Sequence, residues 1–189
     1  MEQNIVIIGP RCVGKTNTGI YLAKALNAEF IDSDPLIEKR EGRTIKQIVE
    51  EKGWEHFRQL EAQLINEVTS NGAGKSIVFA PGGGAVAHQY EELRKQNVER
   101  LRAFGTVILL MPSKDLKESA RIIRERMIND EKSSTQRPGL TGLYPHEEVL
   151  KTLNERISRY LQAKNHVIYT DGLDEKEVAE KIICDLGLS

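Results

Sequence analysis

Aromatic residues and cysteines are scarce in this chain of 189 residues, and neither sign of charge dominates it. The two cysteines, Cys12 and Cys184, lie far apart in the sequence, so their spacing indicates neither a disulfide framework nor a zinc site. The 27 basic and 28 acidic side chains leave a formal charge of -1, which excludes a global field that would hold the protein on nucleic acid or on an anionic membrane. Any binding of anions must therefore be local.

Long hydrophobic runs are missing as well. The longest, such as 107–111, are far shorter than the roughly 20 residues that cross a bilayer, and the polar start 1–4 does not resemble a signal peptide. With 39% hydrophobic and 29% charged residues, the composition is that of an ordinary globular protein. We therefore expect one cytoplasmic domain over residues 1–189, with neither nucleic acid nor a membrane as a partner.

Short apolar runs alternate with stretches of helical periodicity along the chain. The run 5–8 ends at Gly9 and is typical of a strand buried on both faces of a parallel sheet. Further strands are predicted at 29–31, 77–80, 106–111 and 166–169, and helices after Lys15, around 55–70, 88–97, 114–128 and 147–164, and near the end of the chain. The alternation predicts a three-layer α/β/α fold around a parallel five-stranded sheet.

Residues 129–145 interrupt this alternation. They contain charges, a Ser-Ser-Thr run, two prolines and two glycines, with few apolar side chains to anchor them. So long a polar stretch inside a compact domain is either a mobile lid that closes over a site or a disordered segment. Composition alone leaves both interpretations open.

The segment between the first strand and the first helix fits the phosphate-loop pattern G-x-x-x-x-G-K-[ST]. Glycines in this pattern let backbone N–H groups and the helix N-terminus face a polyphosphate, the lysine adds a positive charge, and the final hydroxyl binds Mg²⁺. A glycine turn carrying a solvated lysine is the alternative. We expect the nucleotide to be bound by Gly9, Pro10, Arg11, Cys12, Val13, Gly14, Lys15, Thr16 and Thr18.

Phosphate binding alone is shared by molecular switches, motors and small-molecule kinases. The chain has no Asn-Lys-x-Asp segment with which a GTPase would read its base, and it is short for a motor. The pattern therefore favours a small-molecule kinase with a P-loop fold.

Two aspartates, Asp32 and Asp34, follow the second strand. They emerge at the carboxyl edge of the sheet beside the phosphate loop, where α/β proteins bind ligands. Because residues two apart at a strand end point to different sides, one of them can serve Mg²⁺ through water while the other faces an acceptor hydroxyl. The alternative is that one of them only caps a helix that starts at Pro35.

Further segments complete a resemblance to the shikimate kinase family. Besides the phosphate loop and the two aspartates, they are 57–61 (Phe-Arg-Gln-Leu-Glu), the glycines 82–84, Arg137 with Pro138, and Arg156 with Tyr160. The resemblance covers nearly the whole chain. It implies a nucleoside-monophosphate-kinase-like fold, commonly a monomer, that transfers the γ-phosphate of ATP to the 3-hydroxyl of shikimate with Mg²⁺, in aromatic amino-acid biosynthesis.

The resemblance also implies roles for these residues. Arg58 and Arg156 would bind the shikimate carboxylate, since a guanidinium binds carboxylate bidentately. Asp34 would receive the acceptor hydroxyl as orienting group and base, within acceptor-binding helices at about 33–65, and Thr16 and Asp32 are expected to hold Mg²⁺. Glu61 lies three residues after Arg58 on one helical face and can hold its guanidinium. The glycines at 82–84 (Gly82, Gly83, Gly84) would let the backbone approach the acceptor ring.

Arg137 lies inside the polar stretch and, by resemblance, is the lid arginine that moves onto the phosphates when the site closes. There it would stabilise the charge that develops on the transferred phosphoryl group while the lid excludes water. We therefore expect catalytic roles for Lys15, Asp34 and Arg137.

Some positions depart from the family pattern. Cys12 stands where many members carry glycine, and Trp54 where many carry glutamate. The lid is longer than in many members, which leaves open which arginine flanks the adenine. Arg121 and Arg124 are the candidates, with helix-surface charge as the alternative for both.

Two other functions remain open from the sequence. A kinase for gluconate or another sugar acid would share the phosphate loop. A nucleotide-sensing module without transferase activity would bind ATP but would have no use for an acceptor base such as Asp34.

Overall fold

The computed structural model describes residues 4–71, 76–129 and 148–188. The lid interval 129–145, apart from Asn129, and with it Arg137 and Pro138, lies outside the described residues. In chain order the elements are β1 (Ile5–Ile8), α1 (Lys15–Ala25), β2 (Glu29–Asp32), α2 (Ser33–Glu41), α3 (Ile45–Asn71), β3 (Ile77–Ala80), α4 (Glu91–Phe104), β4 (Thr106–Met111), α5 (Leu116–Asn129), α6 (Val149–Ala163), β5 (His166–Tyr169) and α7 (Glu175–Leu186).

All five strands form one parallel sheet in the order β2-β3-β1-β4-β5. β1 lies at its centre, where Ile5 aligns with Val78 of β3 on one side and with Thr106 of β4 on the other. With helices on both faces, this position explains why β1 is continuously apolar and fully buried. The predicted sheet and its strands are confirmed.

Alternate residues of β1 enter different hydrophobic clusters on the two faces of the sheet. Ile5 and Ile7 pack with α1 and α7, whereas Val6 and Ile8 pack with α3, α4, α5 and α6. The helices therefore form one layer on each side of the sheet. This is the three-layer α/β/α arrangement expected from the sequence.

Helix positions agree less closely with the prediction. The helix expected at 88–97 begins at Glu91 and runs to Phe104, and α3 begins ten residues before its predicted start. A non-helical residue, Gly53, interrupts α3 and divides it into 45–52 and 54–71. No helix within the described ranges is long and apolar enough to span a membrane.

Because the five strands are parallel, their carboxyl ends meet at one edge of the sheet. β1 leads there into the phosphate loop, β2 ends at Asp32, and β3 leads into the glycines at 82–84. Three segments that are far apart in the sequence are therefore brought together at this edge.

The loop that follows β3 is held by a buried side chain of α4. Asn97 is fully buried, and its Nδ2 donates a hydrogen bond to the Ala85 carbonyl at 2.9 Å. That carbonyl directly follows the glycines, so the bond ties the loop to α4. The neighbouring Gln96 is exposed.

We expect Asn97→Ala to lower the free energy of unfolding by about 1–3 kcal/mol, because it leaves the Ala85 carbonyl buried without its donor. Urea unfolding measures the change. Gln96→Ala is the control and should stay within about 0.5 kcal/mol of the wild type. Equal stability of the two variants would show that the bond does not hold the loop.

Candidate active site

The phosphate loop connects β1 to α1. Gly9 has φ 147°, and a Cβ added there would lie 2.5 Å from the Leu110 carbonyl oxygen, so only glycine fits. Lys15 Nζ donates to the carbonyls of Gly9 at 3.1 Å and Pro10 at 2.8 Å. Gly14 is the N-cap of α1 and has no side chain that could accept hydrogen bonds from the first backbone amides of the helix. These amides can therefore donate to an anion.

Cys12 has φ 58°, in the left-handed region that glycine adopts most easily. Its backbone therefore explains why glycine is common at this place in the family that the sequence resembles. The Cys12 side chain is partly buried.

An arginine that the sequence analysis did not single out reaches the same loop. Arg126 Nη1 donates to the carbonyls of Val13 at 3.3 Å and Cys12 at 3.5 Å. The helical periodicity of α5 could have identified Arg126. Residues seven apart lie on the same face of a helix, and Ser119, seven residues earlier, is buried.

The two arginines that were considered for the adenine are placed differently. Arg121 binds Glu118 and Glu125 on the exposed side of α5, and Arg124 is exposed. Their surroundings favour the surface-charge interpretation of both residues.

Thr16 and Asp32 meet beside the loop. Thr16 Oγ1 donates to Asp32 Oδ2 at 2.6 Å, and the Asp34 amide donates to Asp32 Oδ1 at 3.1 Å. Asp32 is therefore the N-cap of α2, which begins at Ser33 and not at Pro35. Asp34 lies inside the helix, so the interpretation of Asp34 as the cap is wrong.

Thr16 and Asp32 also fit a magnesium site. Both offer hard oxygen atoms, the donors that Mg²⁺ prefers. Within the described ranges, no group of three or more acidic, histidine or cysteine side chains could hold a metal ion. Mg²⁺ commonly takes one or two protein ligands and completes its shell with phosphates and water.

Thr18 faces inward. Its side chain is 1% exposed, and its hydroxyl has no hydrogen-bond partner among the residues with described positions. A contact between Thr18 and a nucleotide stays a prediction.

A pocket opens next to the loop, and α3 supplies its charged wall. Arg58 and Glu61 are 5% and 2% exposed and form an ion pair between Arg58 Nη1 and Glu61 Oε2. Burial raises the pKa of the Glu61 carboxyl, and the Arg58 guanidinium counteracts that rise. The predicted support of Arg58 by Glu61 is confirmed.

Two aromatic side chains complete the surroundings of Arg58. Its Cζ lies 4.9 Å from the ring centre of Trp54 and 5.2 Å from that of Phe57. These distances are typical of cation–π contacts. Trp54, Phe57, Arg58 and Glu61 follow the helical spacing i, i+3, i+4, i+7 and line the pocket together.

The glycines after β3 make room for the charged side chains of the site. A Cβ at Gly82 would lie 2.2 Å from Glu61 Oε1 and 2.8 Å from Asp34 Oδ1. At Gly84 it would lie 2.4 Å from Arg58 Nη2. The expected approach of these glycines to an acceptor ring stays a prediction, but their fit to Asp34, Arg58 and Glu61 gives a structural reason for them.

α6 supplies the opposite side of the pocket through Arg156 and Tyr160. The buried Tyr160 hydroxyl donates a hydrogen bond to the Gly83 carbonyl. Burial raises the pKa of Tyr160, so its hydroxyl stays protonated. The structure thus brings Asp34, Arg58 and Arg156 to one pocket, as the sequence analysis expected.

His88 lies behind this pocket and is 4% exposed. Neither ring nitrogen has a hydrogen-bond partner within the part of the chain that the structure describes. Burial, followed by the positive charges of Arg58 and Arg94, lowers the pKa of His88 to about 3. The imidazole is therefore neutral at pH 7.

This low pKa predicts a pH dependence of stability. His88 takes up its proton near pH 6.5 in the unfolded chain but only near pH 3 in the folded chain. Protonation of His88 therefore does not reduce the free energy of unfolding above about pH 6.5, and reduces it progressively as the pH falls toward 3. Between pH 7 and 5.5, His88 should account for about 1 kcal/mol of lost unfolding free energy.

Between pH 7 and 5.5, His88→Gln should lose about 1 kcal/mol less unfolding free energy than the wild type. Urea unfolding at both pH values measures the difference. His166 is exposed, so His166→Gln should keep the wild-type dependence. An unchanged pH dependence in His88→Gln would contradict the neutral, buried state.

Comparison with known proteins shows the family to which the chain belongs. The family model "Shikimate kinase" matches residues 11–186. A shikimate kinase from Syntrophus aciditrophicus is 35% identical over 96% of this chain and 90% of its own length. A shikimate kinase 2 from Photorhabdus laumondii is 38% identical over 89% of this chain and 87% of its own length. The structure of a shikimate kinase from Acinetobacter baumannii in complex with shikimate superposes with a TM-score of 0.81 at 32% identity, covering 99% of this chain and 96% of that one. This chain belongs to the shikimate kinase family.

Proposed function

We propose that the protein transfers the γ-phosphate of ATP to the 3-hydroxyl of shikimate. The observation that carries this function is the buried Arg58–Glu61 pair, which lies beside Asp34 in a pocket next to the phosphate loop. A buried cation at that place suits a small anionic acceptor, and Asp34 suits its hydroxyl.

The phosphate loop binds the nucleotide. Its backbone amides and Lys15 surround the phosphates, and the helix N-terminus adds a positive electrostatic potential. Thr16 and Asp32 would hold Mg²⁺, which supplies charge neutralisation at the phosphate oxygens when bound. Arg126 on the loop carbonyls adds a further positive charge and is our candidate for the arginine beside the adenine.

Arg58 and Arg156 bind the carboxylate of the acceptor from two different helices. The buried ion pair with Glu61 fixes the position of Arg58 before the acceptor arrives. A rigid arrangement of this kind lowers the entropic cost of orienting the acceptor.

Asp34 receives the reacting hydroxyl. It is 9% exposed, and its Oδ1 faces the Gly82 backbone at the edge of the pocket. The acceptor oxygen forms a bond to the γ-phosphorus, the bond to the β-phosphate oxygen breaks, the proton goes to Asp34, and ADP leaves. Arg137, from the lid interval, would stabilise the transferred phosphoryl group and should affect turnover more than acceptor affinity.

We further propose that the protein works as a cytoplasmic monomer with Mg²⁺ and binds neither nucleic acid nor a membrane. The near-neutral formal charge of -1 supports the last two expectations. The family model that matches residues 11–186 favours shikimate over gluconate as the acceptor. A sensing module without transferase activity is disfavoured by the pocket, because it would have no use for Asp34 beside an acceptor site.

A coupled assay of ADP release tests the proposed function. We expect Mg²⁺-dependent release with shikimate and only background release with gluconate. Asp34→Asn should lower kcat at least about 100-fold, as expected for loss of a general base. Activity with gluconate and none with shikimate would favour the sugar-acid kinase, and ATP binding without product would favour the sensor.

A second prediction concerns Arg58. Arg58→Lys should raise the KM for shikimate about tenfold or more with a smaller change in the KM for ATP, because lysine cannot bind a carboxylate bidentately. Arg40 forms an exposed ion pair with Glu67, so Arg40→Lys is the matched control and should leave both constants unchanged. An unchanged shikimate KM in Arg58→Lys would remove Arg58 from the carboxylate site.

A further inference from the structure

α3 is interrupted at Gly53, directly before the residues that form the charged wall of the pocket. Gly53 has φ 80° and ψ 169°, a backbone conformation that is essentially restricted to glycine. A Cβ added there would meet no atom within 4 Å. Any effect of a side chain at this position would therefore come from the backbone conformation and not from a clash.

The interruption changes the direction in which the two parts of the helix face. Ile45 and Trp54 line the same pocket although they are nine residues apart. In a continuous α-helix nine residues make about two and a half turns, which would place the two side chains on opposite sides. The same holds for Ile48 and Phe57, which are both buried in one hydrophobic cluster.

Exposure along α3 shows the same change of phase. Glu55 lies seven residues after the buried Ile48, so an uninterrupted helix would turn it toward the core. Glu55 is exposed. Gly53 therefore shifts the buried face of α3 by about half a turn.

The first part of α3 has its own helix start. Thr44 Oγ1 accepts from the Gln47 amide at 3.2 Å, and Gln47 Oε1 accepts from the Thr44 amide at 2.9 Å. This reciprocal pair is a capping box. The parts before and after Gly53 are thus two helices whose relative rotation depends on the residue between them.

We infer that Gly53 is a positioning residue for the acceptor site. Its backbone conformation sets the rotation between the part of α3 that supplies Ile45 and the part that turns Trp54, Arg58 and Glu61 into the same pocket. A side chain at residue 53 would favour ordinary helical or extended angles and rotate these groups away. The rotation is a property of the fold, whereas its effect on shikimate binding rests on the proposed function.

Asparagine at two glycines tests this inference. Gly42 ends α2 with φ 63° and ψ 22°, and a Cβ there also meets no atom within 4 Å. Asparagine tolerates that left-handed conformation but does not tolerate the conformation of Gly53. Gly42→Asn is therefore the matched control. It introduces the same side chain at a nearby position with equally open surroundings, and only the backbone conformation differs.

Trp54 provides a readout that does not depend on activity. It is the one tryptophan of the chain, so the fluorescence emission reports its surroundings alone. We expect Gly53→Asn and Gly53→Ala to shift the emission to longer wavelength and to raise the KM for shikimate about tenfold or more, with the KM for ATP within about twofold. Gly42→Asn should leave all three values at those of the wild type.

Unchanged emission and shikimate KM in both Gly53 variants would overturn the inference. Loss of the cooperative unfolding transition in both would overturn it too, because Gly53 would then be required for folding and not for positioning. If the wild type released no ADP with shikimate, the proposed function would fail, while the emission of the variants would still test the rotation.

Discussion

The site depends on one ion pair that has been removed from water. Burying Arg58 and Glu61 costs several kcal/mol per ion, and their attraction compensates this cost only in a close and well-supported geometry. The support comes from separate parts of the chain. The lack of side chains at Gly82 and Gly84 leaves the space, Trp54 and Phe57 cover the guanidinium, and the shared helix holds the two partners one turn apart.

A buried pair of this kind suits catalysis because it stays in place before the acceptor binds. In the function that we propose, the fixed Arg58 guanidinium meets the carboxylate of the acceptor in surroundings that strengthen their attraction. The parallel sheet then determines how close the pocket lies to the phosphate loop. The phosphate loop, Asp32 and the glycine loop all follow strands that end at one edge of the sheet. The fold thus places the phosphate loop and the pocket side by side.

The sequence predicted the features that depend on local patterns. The strands, the phosphate loop and the partnership of Arg58 with Glu61 follow from short runs and helical spacing. The break at Gly53 was not predicted, because an isolated glycine within a helical pattern is usually tolerated. His88 and Arg126 were missed for another reason: their significance comes from neighbours that the fold brings close, namely four arginines and two loop carbonyls.

The central claim is that a buried guanidinium recognises the negative charge of the acceptor. The most direct measurement compares the dissociation constants of shikimate and its uncharged methyl ester by calorimetry on the wild-type protein. The two compounds share the ring and its hydroxyls. The account predicts that the ester binds about 100-fold more weakly or worse, as expected for the loss of a charge-assisted hydrogen-bond pair. Equal affinity for both compounds would contradict it.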